Sequence, residues 1–420
     1  MKLAEAFERI VGPDAPVEFE AYDGSRAGRA GAGVKIEVRS PRALSYLATA
    51  PNDLGLARAY VAGDIEVTGD MYTALRLLVG LKGVSPPLAE KVRIFRGLGG
   101  MKLLRRVPPV AQEVRLRGRR HSRRRDQQAI SHHYDVSNRF YEWLLGPSMT
   151  YTCALYPTAD VTLEQAQYAK HDLVARKLGL REGMRLLDVG CGWGGMVMHA
   201  ARHYGVKALG VTLSRRQAEW AQEAIEKEGL GELAEVRHAD YRDIRESGFD
   251  AISSIGLTEH IGKAQLPRYF RFLYDRLRPG GRLLNHCITR PRYTERAYYR
   301  RGFINRYVFP DGELVGVGHL ISVASDVGFD IRHEENLREH YALTLAAWSA
   351  NLERHWQEAV AEVGPGTARV WRLYLAGSRL GFEQNWIQLH QVLAVKPHAD
   401  RSSGMPLRPD WEPIVVPDSP

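Results

Sequence analysis

The most constraining stretch of this 420-residue chain lies near its centre, where Arg185-Leu186-Leu187-Asp188-Val189 runs into Gly190-Cys191-Gly192-Trp193-Gly194-Gly195. A short apolar strand that ends in glycines turns tightly, lets backbone approach a ligand, and leaves amides at a helix start. The surrounding pattern repeats this theme. Ala208-Leu209-Gly210-Val211-Thr212 predicts a second strand, followed by a helix from Ser214 to Lys227. Phe249 to Ile255 predicts a third, and Arg282 to His286, after the Pro279-Gly280-Gly281 turn, a fourth. Two later strands are expected at Phe329–His333 and Ile387–Val395. Strands alternating with helices from Gln165 onward predict an α/β fold, with a mostly parallel sheet covered on both faces.

Ahead of this region the chain reads as a small α+β domain. Val34 to Val38 alternates like a strand, and Ser40-Pro41 opens a helix through Leu47. Further helices are expected from Asn52-Asp53 to Tyr60 and from Tyr72 to Leu81. The linear division is residues 1–95, a basic linker at 96–129, a main domain at 130–400, and a Pro- and Ser-rich tail at 401–420 that should fray. With 44% hydrophobic and 25% charged residues the chain is neither disordered nor fibrous. No run of about 18 apolar residues predicts a membrane span. Charges in Met1–Arg9 break the core a signal peptide would need. Three cysteines, Cys153, Cys191 and Cys287, without CxxC spacing, predict neither a disulfide framework nor a metal site, and suit a reducing cytoplasm.

The net charge of +9 is concentrated. Lys102, Arg105, Arg106, Arg115, Arg117, Arg119, Arg120, Arg123, Arg124 and Arg125 face one acid, Glu113, within residues 101–125. Such a block is a footprint for nucleic acid or an anionic membrane surface, or else a solvated linker. It contains no aromatic residue on which bases would stack.

The glycines follow G-x-G-x-G with an acid two residues ahead, rather than the G-x-G-x-x-G of dinucleotide folds. The pattern resembles the S-adenosylmethionine site of class I methyltransferases. Those enzymes place an acid after the second strand, whereas Thr212 and Gln217 stand here, with Asp240-Tyr241-Arg242-Asp243 at the adenine-contacting position.

Four further segments carry a closer resemblance: His133-Tyr134-Asp135-Val136-Ser137-Asn138, Met149-Thr150-Tyr151-Thr152-Cys153-Ala154, Gly210 to Ser214, and Ser254 to Gly262. Together with Tyr307 to Gly312 and Ile387 to Val392, in order over residues 120–395, they resemble the cyclopropane-fatty-acyl-phospholipid synthase family. The resemblance implies a Rossmann-like class I methyltransferase with a seven-stranded sheet. It further implies one-carbon transfer from S-adenosylmethionine to a cis double bond in a phospholipid acyl chain. Bicarbonate is the implied base, held by Cys153, Glu259, His286, Tyr307 and the backbone of Ile288. For the cofactor it implies Tyr151, Thr152, Asp188, Gly190, Gly192, Gly194, Thr212, Leu213, Gln217, Asp240, Tyr241 and Ile255.

Each residue also has a plainer reading. Cys153 suits a buried small hydrophobe and His286 a core histidine. Glu259 is harder to explain away, because a lone buried acid is costly. Tyr134, Phe140, Tyr141 and Trp143 suit either a cation-facing entrance or helix core. A nucleic-acid methyltransferase would share the cofactor fold, but no Asn-Pro-Pro-Tyr-type motif is present, and no nucleic-acid partner is expected.

Within the family the chain resembles actinobacterial enzymes that make methylene-branched chains, precursors of tuberculostearic acid. Gly256-Leu257-Thr258-Glu259 and Leu284-Asn285-His286-Cys287-Ile288-Thr289-Arg290 carry that likeness. Cyclopropane makers more often have a bulky aromatic just before the Glu and lack the Asn before the His. A methylene product would need a separate reductase, since the chain has no flavin or nicotinamide motif. The implied setting is a homodimer attached peripherally to the inner face of the membrane, with the basic block on anionic lipid.

Overall fold

The computed structural model describes residues 1–80, 87–105, 107–114, 116, 118–134, 136–292 and 302–411, with residues 130–134 described by backbone alone. The chain opens with α1 (Leu3–Val11), β1 (Glu18–Ala21), β2 (Arg26–Gly28), β3 (Lys35–Val38), α2 (Arg42–Thr49), α3 (Asp53–Val61), β4 (Ile65–Thr68), α4 (Met71–Gly80) and α5 (Leu88–Gly97). Next come α6 (Arg123–Tyr134), α7 (Asn138–Leu145), α8 (Leu163–Leu178), β5 (Arg185–Val189), α9 (Gly195–Tyr204), β6 (Lys207–Thr212), α10 (Arg215–Lys227), β7 (Ala234–His238), β8 (Phe249–Ile255) and α11 (Thr258–Ile261). The rest is α12 (Leu266–Arg276), β9 (Leu277–Thr289), α13 (Phe303–Tyr307), α14 (Val317–Val327), β10 (Asp330–Asn336), α15 (Arg338–Arg354), α16 (Trp356–Glu383) and β11 (Gln388–Val395).

The chain divides into two units, and neither is a single stretch of sequence. One contains Met1–Arg115, Tyr299–Pro310 and Trp356–Leu380; the other contains Leu116–Tyr298, Asp311–His355 and Gly381–Pro420. The segment read linearly as linker, 96–129, is therefore shared between the units, and α6 begins inside it.

In the first unit the sheet order is β2-β1-β3-β4, with β1 and β3 parallel and the outer pairs antiparallel. Val17, Phe19, Ile36, Val38, Leu44 and Ile65 form its core. The later segments are built in: Phe303 N–H donates to Asp53 at 2.8 Å, and Arg369 reaches Tyr60 O at 3.0 Å and pairs with Glu66.

The second unit carries a seven-stranded sheet ordered β10-β11-β9-β8-β5-β6-β7. The strands from β9 to β7 run parallel, and β11 lies antiparallel to both neighbours. This is the expected α/β class. Central parallel strands are covered on both faces, which is why β5 and β8 read as nearly continuous buried runs. Local signals place the flanking helices. Thr162 and Gln165 form a reciprocal cap on α8, and the Ser214 hydroxyl accepts from Gln217 N–H to open α10. The strand order reverses at β5, so the loops after β5 and β8 diverge and leave a crevice at their carboxyl ends. The expected tail is packed as far as residue 411: Met405 and Trp411 lie against the core of this unit.

Candidate active site

The turn after β5 is glycine-bound for geometric reasons. Gly190, Gly192 and Gly194 all have positive φ, at 78°, 56° and 80°. A Cβ on Gly190 would sit 3.1 Å from the Leu257 side chain, in the loop after β8. That loop also touches the segment before α8, since a Cβ on Gly256 would lie 3.0 Å from Thr152 Cγ2. The three loops expected to hold the cofactor therefore meet at one end of the sheet.

Asp188 is buried beneath this turn. It accepts from the Ser253 hydroxyl at 2.6 Å, and burial raises its carboxyl to about 6. Thr212 and Gln217 are joined, the hydroxyl donating to Gln217 Oε1 at 2.7 Å, so the substitute for the usual acid is one hydrogen-bonded unit. Leu213 O lies 3.2 Å from His238 Nε2. Ile255 ends β8 in register with His286. Asp240 is engaged by Arg242 at 2.6 and 2.8 Å, and Tyr241 stands edge-on to Tyr269 and Phe272, against the core.

Glu259 lies on α11, immediately beyond β8, and His286 near the end of β9. The Ile288 N–H donates to Glu259 Oε1 at 2.5 Å, and Gly256 N–H donates to His286 O at 2.8 Å. The other carboxyl oxygen, Oε2, has no hydrogen-bond partner among the described residues, and neither does Nε2 of His286. Burial raises the Glu259 carboxyl to about 7, with the Ile288 amide opposing. Burial, aided by Lys170 and Lys177, holds His286 well below the usual imidazole range, so the ring is neutral.

Its tautomer follows from the network behind it. Lys177, whose side chain is fully buried, donates to Gln391 Oε1 at 2.8 Å and pairs with Glu335. That leaves the Gln391 NH₂ group to donate to His286 Nδ1 at 3.2 Å. Nδ1 is therefore the acceptor, and the ring proton sits on the open Nε2. Gln391 lies in a quoted motif and Lys177 on α8, yet sequence reading assigned a role to neither. Strand β11 pairs Gln391 directly with His286, a register no local pattern reveals.

Cys153 is fully buried, and its thiol is directed at the carbonyl oxygens of Ala154, 3.2 Å, and Leu337, 3.8 Å. Burial pushes the thiol up, so it is neutral. Beside it, Lys170 donates to the Thr152 hydroxyl at 3.1 Å, and Gln167 donates to Thr152 O at 2.8 Å. Lys170 is also buried, which lowers its ammonium to about 7, while Cys153 and Asp188 oppose the shift. Sequence reading missed this lysine, because a cation inside a helix pattern looks like a solvated face.

The aromatic residues are core rather than rim. Phe140 and Tyr141 are fully buried; Tyr141 lies 4.7 Å from the Trp193 ring and 6.0 Å from Tyr151, which in turn meets Trp348 at 5.2 Å. Trp143 stacks on His355 and carries Arg139 at 5.2 Å. The Tyr134 side chain lies outside the described residues.

Tyr307 belongs to the first unit. It is buried, 5.3 Å from Phe303, and its hydroxyl is raised by burial and then by Glu113, against Arg58. In the same unit Arg58 and Glu113 form a bidentate pair at 2.8 Å.

The basic block is partly paired within the second unit. Arg125 holds Asp311 at 2.6 and 2.8 Å, Arg120 holds Glu313 at 2.5 Å, and Arg123 holds Asp243 at 2.7 Å. Glu313 N–H in turn donates to Glu259 O at 2.9 Å, so these pairs brace the loop behind the buried acid. Lys102, Arg105, Arg119 and Arg124 are exposed; Arg106, Arg115 and Arg117 lie outside the described residues.

Comparison with known proteins agrees with this arrangement. Residues 121–392 match the family model described as mycolic acid cyclopropane synthetase. A probable fatty acid methyltransferase of Mycobacterium tuberculosis is 54% identical over 409 residues, 95% of each chain. A probable fatty acid methyltransferase of Pseudomonas putida is 41% identical, over 89% of this chain and 90% of its own. Among solved structures, a mycolic acid cyclopropane synthase complexed with SAH and CTAB superposes with a TM-score of 0.61 at 34% identity, over 64% of this chain and 97% of its own.

Proposed function

The chain belongs to the mycolic acid cyclopropane synthetase family, and on that premise we propose that it methylates the cis double bond of an unsaturated phospholipid acyl chain, using S-adenosylmethionine and leaving a methylene branch. The observation that carries the reading is the pair of buried polar atoms at adjacent strand ends, Glu259 Oε2 and His286 Nε2, with no partner among the described residues. Each such atom left unsatisfied costs about 1–3 kcal/mol. A small group with both a donor and an acceptor would relieve the two together. Bicarbonate fits that description: Glu259 and His286, with Cys153 and Tyr307, would hold it, and when bound it supplies a base. The Ile288 N–H already serves Glu259 and joins them only by exchanging partners.

The residues divide the work. An alkene is a weak nucleophile, so the methyl group must be held in line with it at close range. The Gly190–Gly194 turn, Tyr151, Thr152 and the Thr212–Gln217 pair support that positioning of the cofactor. The π electrons form the new carbon–carbon bond as the sulfur–methyl bond breaks, leaving a cation on the other alkene carbon. Rings of Tyr141, Tyr151, Trp193 and Trp348, packed together, suit a site that excludes water from such a cation. A hydride shift to that carbon moves the charge to the methyl-bearing carbon, and loss of a methyl proton gives the exocyclic methylene. Loss of that proton before the shift, with ring closure, gives a cyclopropane, which is the alternative product.

Thr258 and Asn285 favour the methylene route. The Thr258 hydroxyl donates to Asn285 Oδ1 at 2.5 Å, joining the two positions at which cyclopropane makers differ. The substrate places the protein at a membrane surface, and peripheral attachment at the inner face is part of the same proposal. No helix among the described residues is long and apolar enough to cross a membrane.

The test uses the purified protein, S-adenosylmethionine and vesicles of dioleoyl phospholipid, with proton NMR of the derived methyl esters. Vinylidene protons are expected. Upfield ring protons would establish the cyclopropane alternative, and unmodified acyl chains would overturn the lipid reading. Mass alone does not discriminate, since the two products are isomers.

A further inference from the structure

The outer face of α5 and the turn after it form a patch on the first unit that methyl transfer does not use. Ile94 is the buried residue of α5, and Glu90 ties the helix to α1 through Arg9 at 2.7 Å. The opposite side shows Leu88, 77% exposed, and Val92, 40% exposed, one helical turn apart, with exposed Lys91 and Arg96 on either flank. Beyond the helix, Leu98 and Leu103 pack into the core of the unit. That packing turns Met101, 76% exposed, and Leu104, 42% exposed, outward beside exposed Lys102 and Arg105.

Charge complementarity identifies the occupant. From Pro87 to Arg105 the cations are Lys91, Arg93, Arg96, Lys102 and Arg105, while the one acid, Glu90, is already held by Arg9 and by Arg93 at 3.2 Å. Apolar side chains flanked by unneutralised cations suit an interface whose surface is anionic and whose interior is apolar. Leucine, valine and methionine enter the acyl boundary while the lysine and arginine heads remain among phosphates. Arg120, Arg123 and Arg125, by contrast, already hold acids of their own unit.

We propose that the segment Leu88–Arg105 is the surface by which this protein docks on an anionic phospholipid bilayer. The inference rests on the phospholipid reading, and it commits to a lipid rather than a protein partner.

The experiment measures co-sedimentation of the full-length protein with mixed dioleoyl phosphatidylglycerol and phosphatidylcholine vesicles. The variants are Leu88→Glu with Val92→Glu, Met101→Glu with Leu104→Glu, and Lys91→Gln with Arg96→Gln. All six side chains are exposed, and thermal melts verify folding. Vesicle binding is expected to fall about tenfold or more in each, with removal of two surface cations alone accounting for roughly that factor. Methylation of vesicle lipid should fall in step, while methylation of the same lipid in detergent micelles should stay near the wild-type rate. Wild-type vesicle binding by the folded glutamate variants would overturn the proposal, as would a loss explained by an altered oligomeric state in light scattering. If the wild type docks through these residues yet methylates no phospholipid in either form, the substrate reading fails while the docking surface stands.

Discussion

Gln391 hydrogen-bonds His286 from behind, its amide nitrogen 3.2 Å from Nδ1, and the buried Lys177 dictates that orientation by occupying the amide oxygen. A neutral imidazole thereby presents an N–H at its open nitrogen. The site's donor is thus set by residues that need not touch a substrate. Such outer partners are commonly worth 10–100-fold in activity.

The first prediction follows from that orientation. Gln391→Leu should lower kcat by about 10–100-fold while leaving the affinity for S-adenosylhomocysteine near wild type. Gln391→Glu should also be impaired despite its similar shape, because a carboxylate would draw the ring proton to Nδ1 and leave Nε2 as an acceptor. Steady-state kinetics with calorimetric titration would check both.

Glu259 links activity to stability with opposite signs. Its carboxyl is raised by burial from the ordinary 4.5 to about 7, so the folded protein holds this proton more tightly than the unfolded chain does. The stabilising contribution is complete below pH 4.5 and is lost as pH rises toward 7, amounting to about 3 kcal/mol by pH 8. Glu259→Gln can keep the bond from Ile288 N–H and removes the titration. The variant should be inactive in lipid methylation yet more stable than wild type at pH 8, with little gain at pH 4.5. Urea melts at the two pH values, beside the NMR assay, test this.

The Thr258–Asn285 hydrogen bond makes product choice a local question. Thr258→Phe combined with Asn285→Ala should raise the ring-to-vinylidene proton ratio in recovered methyl esters without abolishing methyl transfer. An unchanged ratio in an active double variant would remove this pair from product control.

Thr212 and Gln217 stand where related folds use an acid, and their mutual bond at 2.7 Å pre-sets both polar groups. Thr212→Val should weaken S-adenosylhomocysteine binding by about tenfold, the loss expected for one hydrogen bond that leaves its partner unsatisfied. Thr212→Ser should retain most of the affinity. Calorimetry reports both directly.

Arg125 and Asp311 are 13% and 6% exposed, so their bidentate pair is structural. Arg125→Gln would leave a buried carboxylate without its cation, at a cost of about 3–5 kcal/mol. A clear drop in Tm is expected, with vesicle binding unchanged when measured below the transition. Reduced vesicle binding by folded Arg125→Gln would instead assign this arginine to the lipid surface.

Much of the molecule is written locally. The run Leu186-Leu187-Asp188-Val189 ending in spaced glycines defines β5 and its turn, because strand burial and positive φ depend on neighbouring residues alone. The order of strands and helices from Gln165 onward determines the α/β class for the same reason, and the ordered motifs from Cys153 to His286 point to the family. Partnerships across the chain are not written this way. Lys177 meets Gln391 across 214 positions and Arg125 meets Asp311 across 186, so only the paths of helices and strands decide which charges are neutralised. Ten basic residues in a row of the sequence therefore look alike, although folding turns some into internal braces and leaves others facing solvent. The burial that shifts Glu259 and Lys170 is likewise tertiary, since desolvation depends on what surrounds a group in space. The grouping of residues 299–310 and 356–380 with the amino-terminal unit has the same origin, because segments of one chain join a core by packing rather than by adjacency.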